Sequence, residues 1–341
     1  MLEPSVKATT GRMEGRAVAD GPAERPRAAP PPRWGAFLRV FVSLALVALV
    51  CTKIDFARTA DMLLGALPLY VALTIVSMLL ERFYAAYRWW ILLRVHDPGM
   101  PFGLVLRVVF VSLLYGMFLP GGGVEVVRVL ALSRSGNRLG VSFGSVAMDR
   151  VLGLLTLLLI ALAGCAWAGI RVPGSMAPWV WAGLAVCAAA TAMLCVKRAR
   201  RLAWRFVPAG LSRRLQPRFD ALGAYLKQLG GRPALLSWAF LLAVGIQVVR
   251  VVTVWFAALA LGIHAPIAAY FAFVPLIVIA QLLPIAVGGL GVREAAFVFF
   301  FGTVGVSAEA AFALSLLVYV TTIVSSLPGA WMRVARAGGA A

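Results

Sequence analysis

The chain has 341 residues, of which 62% are hydrophobic and only 13% are charged. An average soluble domain is about 45–50% apolar and about 25% charged, so this composition excludes an ordinary soluble enzyme. It indicates an integral membrane protein with several spans, because apolar runs of about 18 residues or more form spanning helices. The formal net charge is +19. The basic residues lie between the apolar runs, a distribution typical of cytoplasmic loops that argues against nucleic-acid binding.

The chain opens with residues 1–33, a basic segment rich in Pro and Ala that predicts a disordered cytoplasmic tail. The apolar runs follow at about residues 36–52, 62–80, 102–119, 141–170, 177–196, 234–262, 266–283, 291–304 and 309–331. The second run is predicted to continue as a helix to Arg94, and its four aromatic residues between positions 84 and 90 suit a belt at the membrane surface.

Residues 197–232 carry ten basic residues interspersed with Leu, Phe, Trp and Tyr. This segment predicts a cytoplasmic connector, either an amphipathic helix on anionic lipid or a solvated loop. The predicted domains are therefore the tail 1–33, a transmembrane domain at 34–335 that contains the connector, and a short C-terminal tail at 336–341.

Two segments of the chain resemble each other: LPGGGVEVVR at residues 119–128 and LPIAVGGLGVRE at residues 283–294. In each, Leu-Pro and a glycine cluster end an apolar run, and a short helical stretch with one Arg and one Glu follows. Pro removes a backbone donor and Gly weakens a helix, so each segment is predicted to break a helix at membrane depth. The predicted helix-breaking residues are Pro120, Gly121, Gly122, Gly123, Pro284, Gly288, Gly289 and Gly291.

Charge decides how each broken unit crosses the membrane. If residues 102–132 crossed once, the ten basic residues of the connector would lie outside, against the positive-inside rule. A hairpin that returns to its own side removes the conflict. We therefore predict an all-α polytopic membrane protein with about six full spans, two opposed re-entrant helical hairpins forming an inverted repeat, and both termini in the cytoplasm.

Ionisable residues inside apolar runs are costly and need a reason. The candidates for binding a lipid headgroup are Arg250, Arg293, Glu294, Glu125, Arg128, Asp149, Arg150 and Gln247. One interpretation is structural: Glu125 pairs with Arg128, and Asp149 pairs with Arg150. The other is a polar cavity in which arginines face a lipid phosphate, and it is favoured most for Arg250 and Arg293.

Other kinds of site are not indicated. The four cysteines form no CxxC pair, and His96 and His264 are isolated in sequence. The glycine clusters lack the GxxxxGK[ST] pattern of a phosphate-binding loop. We predict no catalytic residue, no cofactor and no metal, and the sequence favours a non-enzymatic role over an enzymatic one.

Four motifs resemble the transmembrane region of lysyl-phosphatidylglycerol synthases, a region that also occurs alone in flippase-like membrane proteins. They are LPGGGVEVVR, RWWILL at 88–93, MDRVLGLL at 148–155 and LLPIAVGGLGVREAAFV at 282–298. The likeness covers about residues 36–331. In the first motif the family often has Gly-Gly-Asp before the Arg, whereas here Gly123, Val124 and Glu125 keep an acid on a longer side chain.

The resemblance implies a role in lipid translocation. Two-part members carry a soluble domain that attaches lysine from aminoacyl-tRNA to phosphatidylglycerol. This chain ends at Ala341, ten residues past the last predicted span, so we expect no such domain. Some standalone relatives act around hopanoid, glycolipid or polyprenyl-linked pathways, so the resemblance leaves the lipid open.

The leading hypothesis is a lipid flippase or lipid transporter of the bacterial inner (plasma) membrane. It would move an amphiphilic, anionic lipid or lipid-linked precursor between leaflets, with membrane lipids as its partners. One alternative is a membrane-embedded lipid-modifying transferase, with Glu125, Asp149 or Glu294 as acid–base candidates. Another is a scaffold that docks a separate lipid-synthesis enzyme on residues 197–232. Direction, energy source and oligomeric state stay open.

Overall fold

The computed structural model describes five stretches of the chain and a few isolated positions. The stretches are residues 54–116, 123–134, 139–169, 231–282 and 289–337. Every regular element in them is an α-helix. The helices are α1 (Phe56–Leu64), α2 (Pro68–Leu93), α3 (Phe102–Gly116), α4 (Gly123–Arg134), α5 (Leu139–Ala168), α6 (Pro233–Ala260), α7 (Ile267–Leu282), α8 (Val292–Gly302), α9 (Ala308–Ser326) and α10 (Pro328–Ala337).

Four of these helices are long and apolar enough to cross a bilayer. They run over Pro68–Leu93, Ser142–Ala168, Pro233–Ala260 and Ala308–Met332. At 25 to 28 residues each they are about 37–42 Å long, which exceeds the roughly 30 Å hydrocarbon core of a membrane. The chain is therefore a multi-pass membrane protein. The predicted tail 1–33 and the predicted run 177–196 lie outside the described stretches.

Local sequence explains where several helices begin. Pro68 and Pro233 occupy the first positions of α2 and α6, where the missing N–H costs nothing and the fixed φ suits a helix. The Ser307 hydroxyl accepts a hydrogen bond from the Ala310 N–H at 3.2 Å and caps α9. The predicted continuation of the second run to Arg94 is confirmed to within one residue, since α2 ends at Leu93 and Arg94 is its C-cap. Its start is corrected, because residues 56–64 form a separate helix that ends at Gly65.

The second repeated segment contains a turn before α8. Gly289 and Gly291 have φ values of 76° and 83°, a region that L side chains rarely adopt. At the first segment, α3 extends to Gly116 and α4 begins at Gly123. The other predicted helix-breaking residues lie outside the described part of the chain: Pro120, Gly121, Gly122, Pro284 and Gly288.

Helix packing follows the repeat seen in the sequence. Helices α2–α5 and α6–α9 each form a series of long, short, short and long helices. In each series the first packs on the second, the second on the third, the third on the fourth, and the fourth on the first. Between the series, the first helices α2 and α6 pack on each other. The last helix of each series packs on the first two helices of the other: α5 on α6 and α7, and α9 on α2 and α3. The two series therefore share one order of helix packing.

Two features tie the bundle together. Gly164 of α5 lies against the backbone of α7 at Phe271, where a Cβ atom would come within 2.5 Å of the Ala272 nitrogen. Trp89 is fully buried, and its Nε1–H donates to the Ser145 hydroxyl at 3.2 Å. The prediction that Trp89 belongs to a surface belt is therefore wrong, because it lies on the inward face of α2.

Little of the predicted connector falls in the described part of the chain, but Tyr225 does. Its hydroxyl donates to the Leu92 carbonyl at 2.7 Å, which holds this position against the end of α2. Burial, with a smaller contribution from the charge of Asp149, raises the pKa of Tyr225 above its ordinary value.

Candidate functional site

A cavity of about 380 Å³ lies between the two series of helices; it is the larger of two adjoining cavities and is called here the large cavity. Most of its wall is apolar, with Met78 of α2, Val254 of α6, Ile277 of α7 and Phe297 of α8 among the lining residues. Polar groups also line it, and they are concentrated in Glu81, Arg82, Arg250, Gln281, Arg293 and Tyr319. An apolar wall with a few convergent polar groups is the usual form of a ligand site.

A second cavity of about 200 Å³, the small cavity, lies beside the first and extends between α2, α4, α5 and α6. Both cavities share six lining residues, and Glu81, Arg82 and Arg250 are the charged ones among them. The small cavity is the more highly charged, since Arg88, Arg128, Asp149 and Arg150 also line it.

Arg250 lies where the two cavities meet, and its partner is Glu81. The Arg250 Nε–H donates to Glu81 Oε1 at 3.0 Å, and the Nη2 group also contacts that oxygen. Gln247 supports the pair: its Oε1 accepts from Arg250 Nη1 at 2.8 Å, and its Nε2 donates to the Gly153 carbonyl at 3.1 Å. The ion pair therefore links α2 to α6, and Gln247 extends the link to α5.

Asp149 of α5 is shared by two arginines. Its Oδ1 lies 2.8 Å from Arg88 Nη2, and its Oδ2 lies 3.4 Å from Arg128 Nη1. All three side chains are buried, with exposed fractions of 6% for Arg88, 6% for Arg128 and 4% for Asp149. The Arg128 guanidinium also lies 5.3 Å from the Trp89 ring centroid, an attractive cation–π arrangement.

The predicted pairing inside each helix is wrong for both pairs. Arg128 pairs with Asp149 and Glu125 pairs with Arg150, so each ion pair joins α4 to α5. Helix geometry excludes the second pair, because the adjacent residues 149 and 150 point in different directions and cannot face each other. Glu125 and Arg128 share a helix face, but each has an opposite charge from α5 within 4.0 Å. Glu125 itself is not among the residues that line either cavity, but it holds an arginine that is.

Arg293 and Glu294 occupy the start of α8. The Gly291 N–H donates to Glu294 Oε2 at 2.6 Å, so Glu294 satisfies a free donor at the helix start. Its other oxygen accepts from Arg293 Nε at 3.1 Å. Glu294 is therefore engaged in holding the turn, whereas Arg293 lines the large cavity, with its guanidinium 4.2 Å from the Tyr319 ring centroid.

Arg82 is held by neutral acceptors. Its Nη2 donates to the Ser325 hydroxyl at 2.7 Å and to the Thr322 carbonyl at 3.2 Å, both on α9. Among the described residues, no carboxylate lies within 4.0 Å of its guanidinium. Arg82 is 9% exposed and lines both cavities.

Taken together, the described charged groups around the cavities are six arginines and four carboxylates. The arginines are Arg82, Arg88, Arg128, Arg150, Arg250 and Arg293, and the carboxylates are Glu81, Glu125, Asp149 and Glu294. The formal excess is two positive charges. An uncompensated charge in a buried site is costly, so this excess favours the binding of an anion.

Sequence comparison agrees with this membrane architecture. Residues 36–329 match the family described as lysylphosphatidylglycerol synthase TM region. The chain belongs to this family. It is also similar to a UPF0104 membrane protein of Methanothermobacter thermautotrophicus, at 24% identity over 309 residues that cover 83% of this chain and 86% of that protein. The resemblance predicted from the sequence motifs is thus confirmed.

The cavities of this member of the lysylphosphatidylglycerol synthase TM region family contain charged residues that sequence reasoning missed. Glu81, Arg82 and Arg88 lie on the predicted helix that continues to Arg94, but they are not among the predicted site residues. Glu81 and Arg88 are seven residues apart, two turns of an uninterrupted helix, which places them on one face. Two opposite charges on one face of a membrane-spanning helix were the signal that could have identified them.

Within the described stretches, no group of three or more His, Cys, Asp or Glu side chains is placed to hold a metal ion. The acidic groups around the cavities contact arginines instead. The chemistry that these residues support directly is the recognition of a negatively charged group beside an apolar surface.

Proposed function

We propose that this protein is a lipid flippase or lipid transporter of the bacterial inner (plasma) membrane. It moves an amphiphilic, anionic lipid or lipid-linked precursor between the leaflets through the cavities between its two helix series. The observation that carries the proposal is the combination, across two adjoining cavities, of an apolar wall with an excess of arginines among the described residues.

The large cavity suits the two parts of an amphiphile. Its apolar wall offers a surface for hydrocarbon, while Arg250 and Arg293 offer planar guanidinium groups that can donate two hydrogen bonds to one phosphate or carboxylate. Each arginine also has a carboxylate partner, Glu81 or Glu294. An entering headgroup would therefore compete with an ion pair, which allows binding and release without a large net cost.

We further propose that α3–α4 and α7–α8 are the two opposed re-entrant hairpins. At 15 and 16 residues, α3 and α7 are about 22–24 Å long, shorter than the roughly 30 Å hydrocarbon core. Each is followed by a short helix that packs against it. With both termini in the cytoplasm and about six full spans, this arrangement makes the halves an inverted repeat, a common basis of alternating access in transporters.

The transferase alternative receives less support from the geometry. Asp149, Glu125 and Glu294 are each engaged in an ion pair with an arginine, so none of the three carboxylates is free to approach a substrate. We therefore retain the transport proposal.

A leaflet-exchange assay tests the proposal. Purified protein would be reconstituted into liposomes with trace fluorescent lipids, and dithionite would bleach only the outer leaflet. We expect faster loss of the protected fraction than in empty liposomes for at least one anionic lipid. The double variant Arg250→Ala plus Arg293→Ala should slow exchange strongly.

The matched control is Arg58→Ala plus Arg94→Ala, which removes two exposed arginines outside the cavities and should leave exchange unchanged. If the wild-type protein and the cavity variant both matched empty liposomes for every lipid in a broad panel, the transport proposal would be abandoned.

Topology is tested separately by labelling single cysteines in a background without the four native ones. Position 58 should react with a membrane-impermeant maleimide from the outer side, and position 96 should react only after the membrane is opened. Both positions are exposed, so accessibility depends on sidedness. The opposite labelling pattern would contradict the proposed orientation.

A further inference from the structure

The small cavity has a more specific chemistry than the proposed function requires. We propose that it binds a phosphate group carrying two negative charges, that is, a terminal phosphomonoester or a pyrophosphate. The assignment of that phosphate to a lipid headgroup rests on the proposed function. The existence of the site rests on the arginines themselves.

The first observation is an unequal sharing of charge. Arg88 and Arg128 contact one carboxylate, Asp149, and all three side chains are more than nine-tenths buried. The Arg128 contact is long, at 3.4 Å, compared with 2.8 Å for Arg88. One of the two guanidinium charges in this cluster is therefore left without a counter-charge among the described residues.

The second observation is a free donor. Arg88 Nη1 is buried and has no hydrogen-bond partner in the described part of the chain. The rest of the same guanidinium is occupied, because Nε donates to Asp149 Oδ1 at 2.9 Å. A buried N–H without a partner is costly, and a ligand oxygen in the small cavity, which Arg88 lines, would satisfy it.

The third observation is Arg82, which borders the same cavity and donates to hydroxyl and carbonyl oxygens of α9. Its charge is thus the second one without a carboxylate within 4.0 Å among the described residues. Arg82, Arg88 and Arg128 together present two uncompensated positive charges to one small space.

Charge matching selects the ligand class. A phosphomonoester carries about −1.5 to −2 at neutral pH and has three strong acceptor oxygens. It would neutralise both excess charges. A phosphodiester, as in phosphatidylglycerol, carries a single negative charge and would leave about one positive charge buried, which is costly. A zwitterionic headgroup has no net charge and would leave both excess positive charges uncompensated. The small cavity should therefore prefer a terminal phosphate over a diester.

The neighbouring large cavity explains where the remainder of such a lipid would lie. The two cavities share Glu81, Arg82 and Arg250, so a headgroup in the small cavity can continue directly into the apolar space. In this arrangement the terminal phosphate contacts α2, α4 and α5, while the remainder of the lipid lies in the large cavity against α6, α7 and α8.

Binding of soluble short-chain probes tests the proposal. Isothermal titration calorimetry would be run on the full chain in phosphatidylcholine nanodiscs. The probes are dihexanoyl phosphatidic acid, dihexanoyl phosphatidylglycerol, dihexanoyl glycerol and inorganic phosphate. We expect phosphatidic acid to bind at least about tenfold more tightly than phosphatidylglycerol, a difference of one charge-assisted interaction, and dihexanoyl glycerol to bind most weakly.

The variants Arg88→Gln and Arg82→Gln should each weaken phosphatidic acid binding about tenfold or more and reduce its advantage over phosphatidylglycerol. Arg82→Gln leaves no carboxylate unpaired, so it reports on binding even if Arg88→Gln folds poorly. The matched control is Arg94→Gln, which removes an exposed arginine just after the same helix and should change neither affinity.

The outcomes separate this inference from the transport proposal. Equal binding of phosphatidic acid and phosphatidylglycerol, or wild-type affinity in both cavity variants, would overturn the dianion site even if lipids exchange between leaflets. Binding that follows the expected order without any leaflet exchange would support the site and defeat the transport proposal. Inorganic phosphate binding as tightly as phosphatidic acid would support the site and assign it to free phosphate.

Discussion

The shared carboxylate of Asp149 offers the sharpest test of the charge arrangement. Asp149→Asn keeps the shape of the side chain but removes the negative charge that faces Arg88 and Arg128. Both arginines are buried, so the variant leaves two guanidinium groups without a counter-ion. Removing one partner of a buried ion pair costs about 3–5 kcal/mol, and we expect a loss of stability of that size.

Glu125→Gln is the matched control, because it makes the same chemical change in the neighbouring pair. The Glu125 side chain is 23% exposed and that of Arg150 is 41% exposed, so this pair is much less buried than the Asp149 cluster. Its loss should cost no more than about 1 kcal/mol.

The assay for both variants is thermal unfolding of purified protein in one detergent, followed by tryptophan fluorescence. Trp89 contacts Arg128 and reports on the cluster. The midpoint of Asp149→Asn should fall well below that of Glu125→Gln. A shift for Asp149→Asn that is no larger than the shift for Glu125→Gln would refute the assignment of a buried, doubly paired carboxylate.

Three further predictions concern packing, pairing and the helix break. Gly164→Ala should destabilise the protein by about 1–3 kcal/mol, because the added Cβ would meet the α7 backbone. The control Gly245→Ala, whose Cβ would have nothing within 4 Å, should be neutral or stabilising by up to about 1 kcal/mol. Equal unfolding midpoints for the two variants would contradict the close α5–α7 contact. Reversing the charge of Glu81 or of Arg250 alone should destabilise the protein, and exchanging the two charges should recover at least part of the lost stability in a double-mutant cycle. If the stability losses of the two single variants simply added in the double variant, the ion pair would contribute nothing. Gly291→Ala should lower the stability of the protein by about 1–3 kcal/mol, because this residue has a φ of 83° and a ψ of −48°. An unchanged midpoint in the same thermal assay would count against the turn.

Much of the architecture was predictable because it depends on local properties of the chain. Apolar runs of sufficient length require helices in lipid, since each helix satisfies its own backbone groups. The structure accordingly has helices in every predicted run that it describes, with Pro68 and Pro233 at two helix starts. The glycines at 289 and 291 indicated a turn for an equally local reason, their tolerance of positive φ.

The pairing of charges was not predictable in the same way. Sequence proximity suggested Glu125 with Arg128, yet Glu125 pairs with Arg150 on the next helix. Arg250 had no candidate partner nearby in the sequence, and its partner, Glu81, lies 169 residues earlier. Such pairs form only when two packed helices have a particular rotation about their axes and a particular axial offset, which no short stretch of sequence specifies.

The sequence by itself thus determined that this chain enters the membrane, which segments are helical, and that costly charges enter with them. Only the tertiary structure decided that these charges gather around two adjoining cavities, where the described arginines exceed the described carboxylates by two. The physical reason is that hydrophobic burial acts on each helix separately, whereas the neutralisation of a buried charge depends on which side chains neighbouring helices bring within about 4 Å of it.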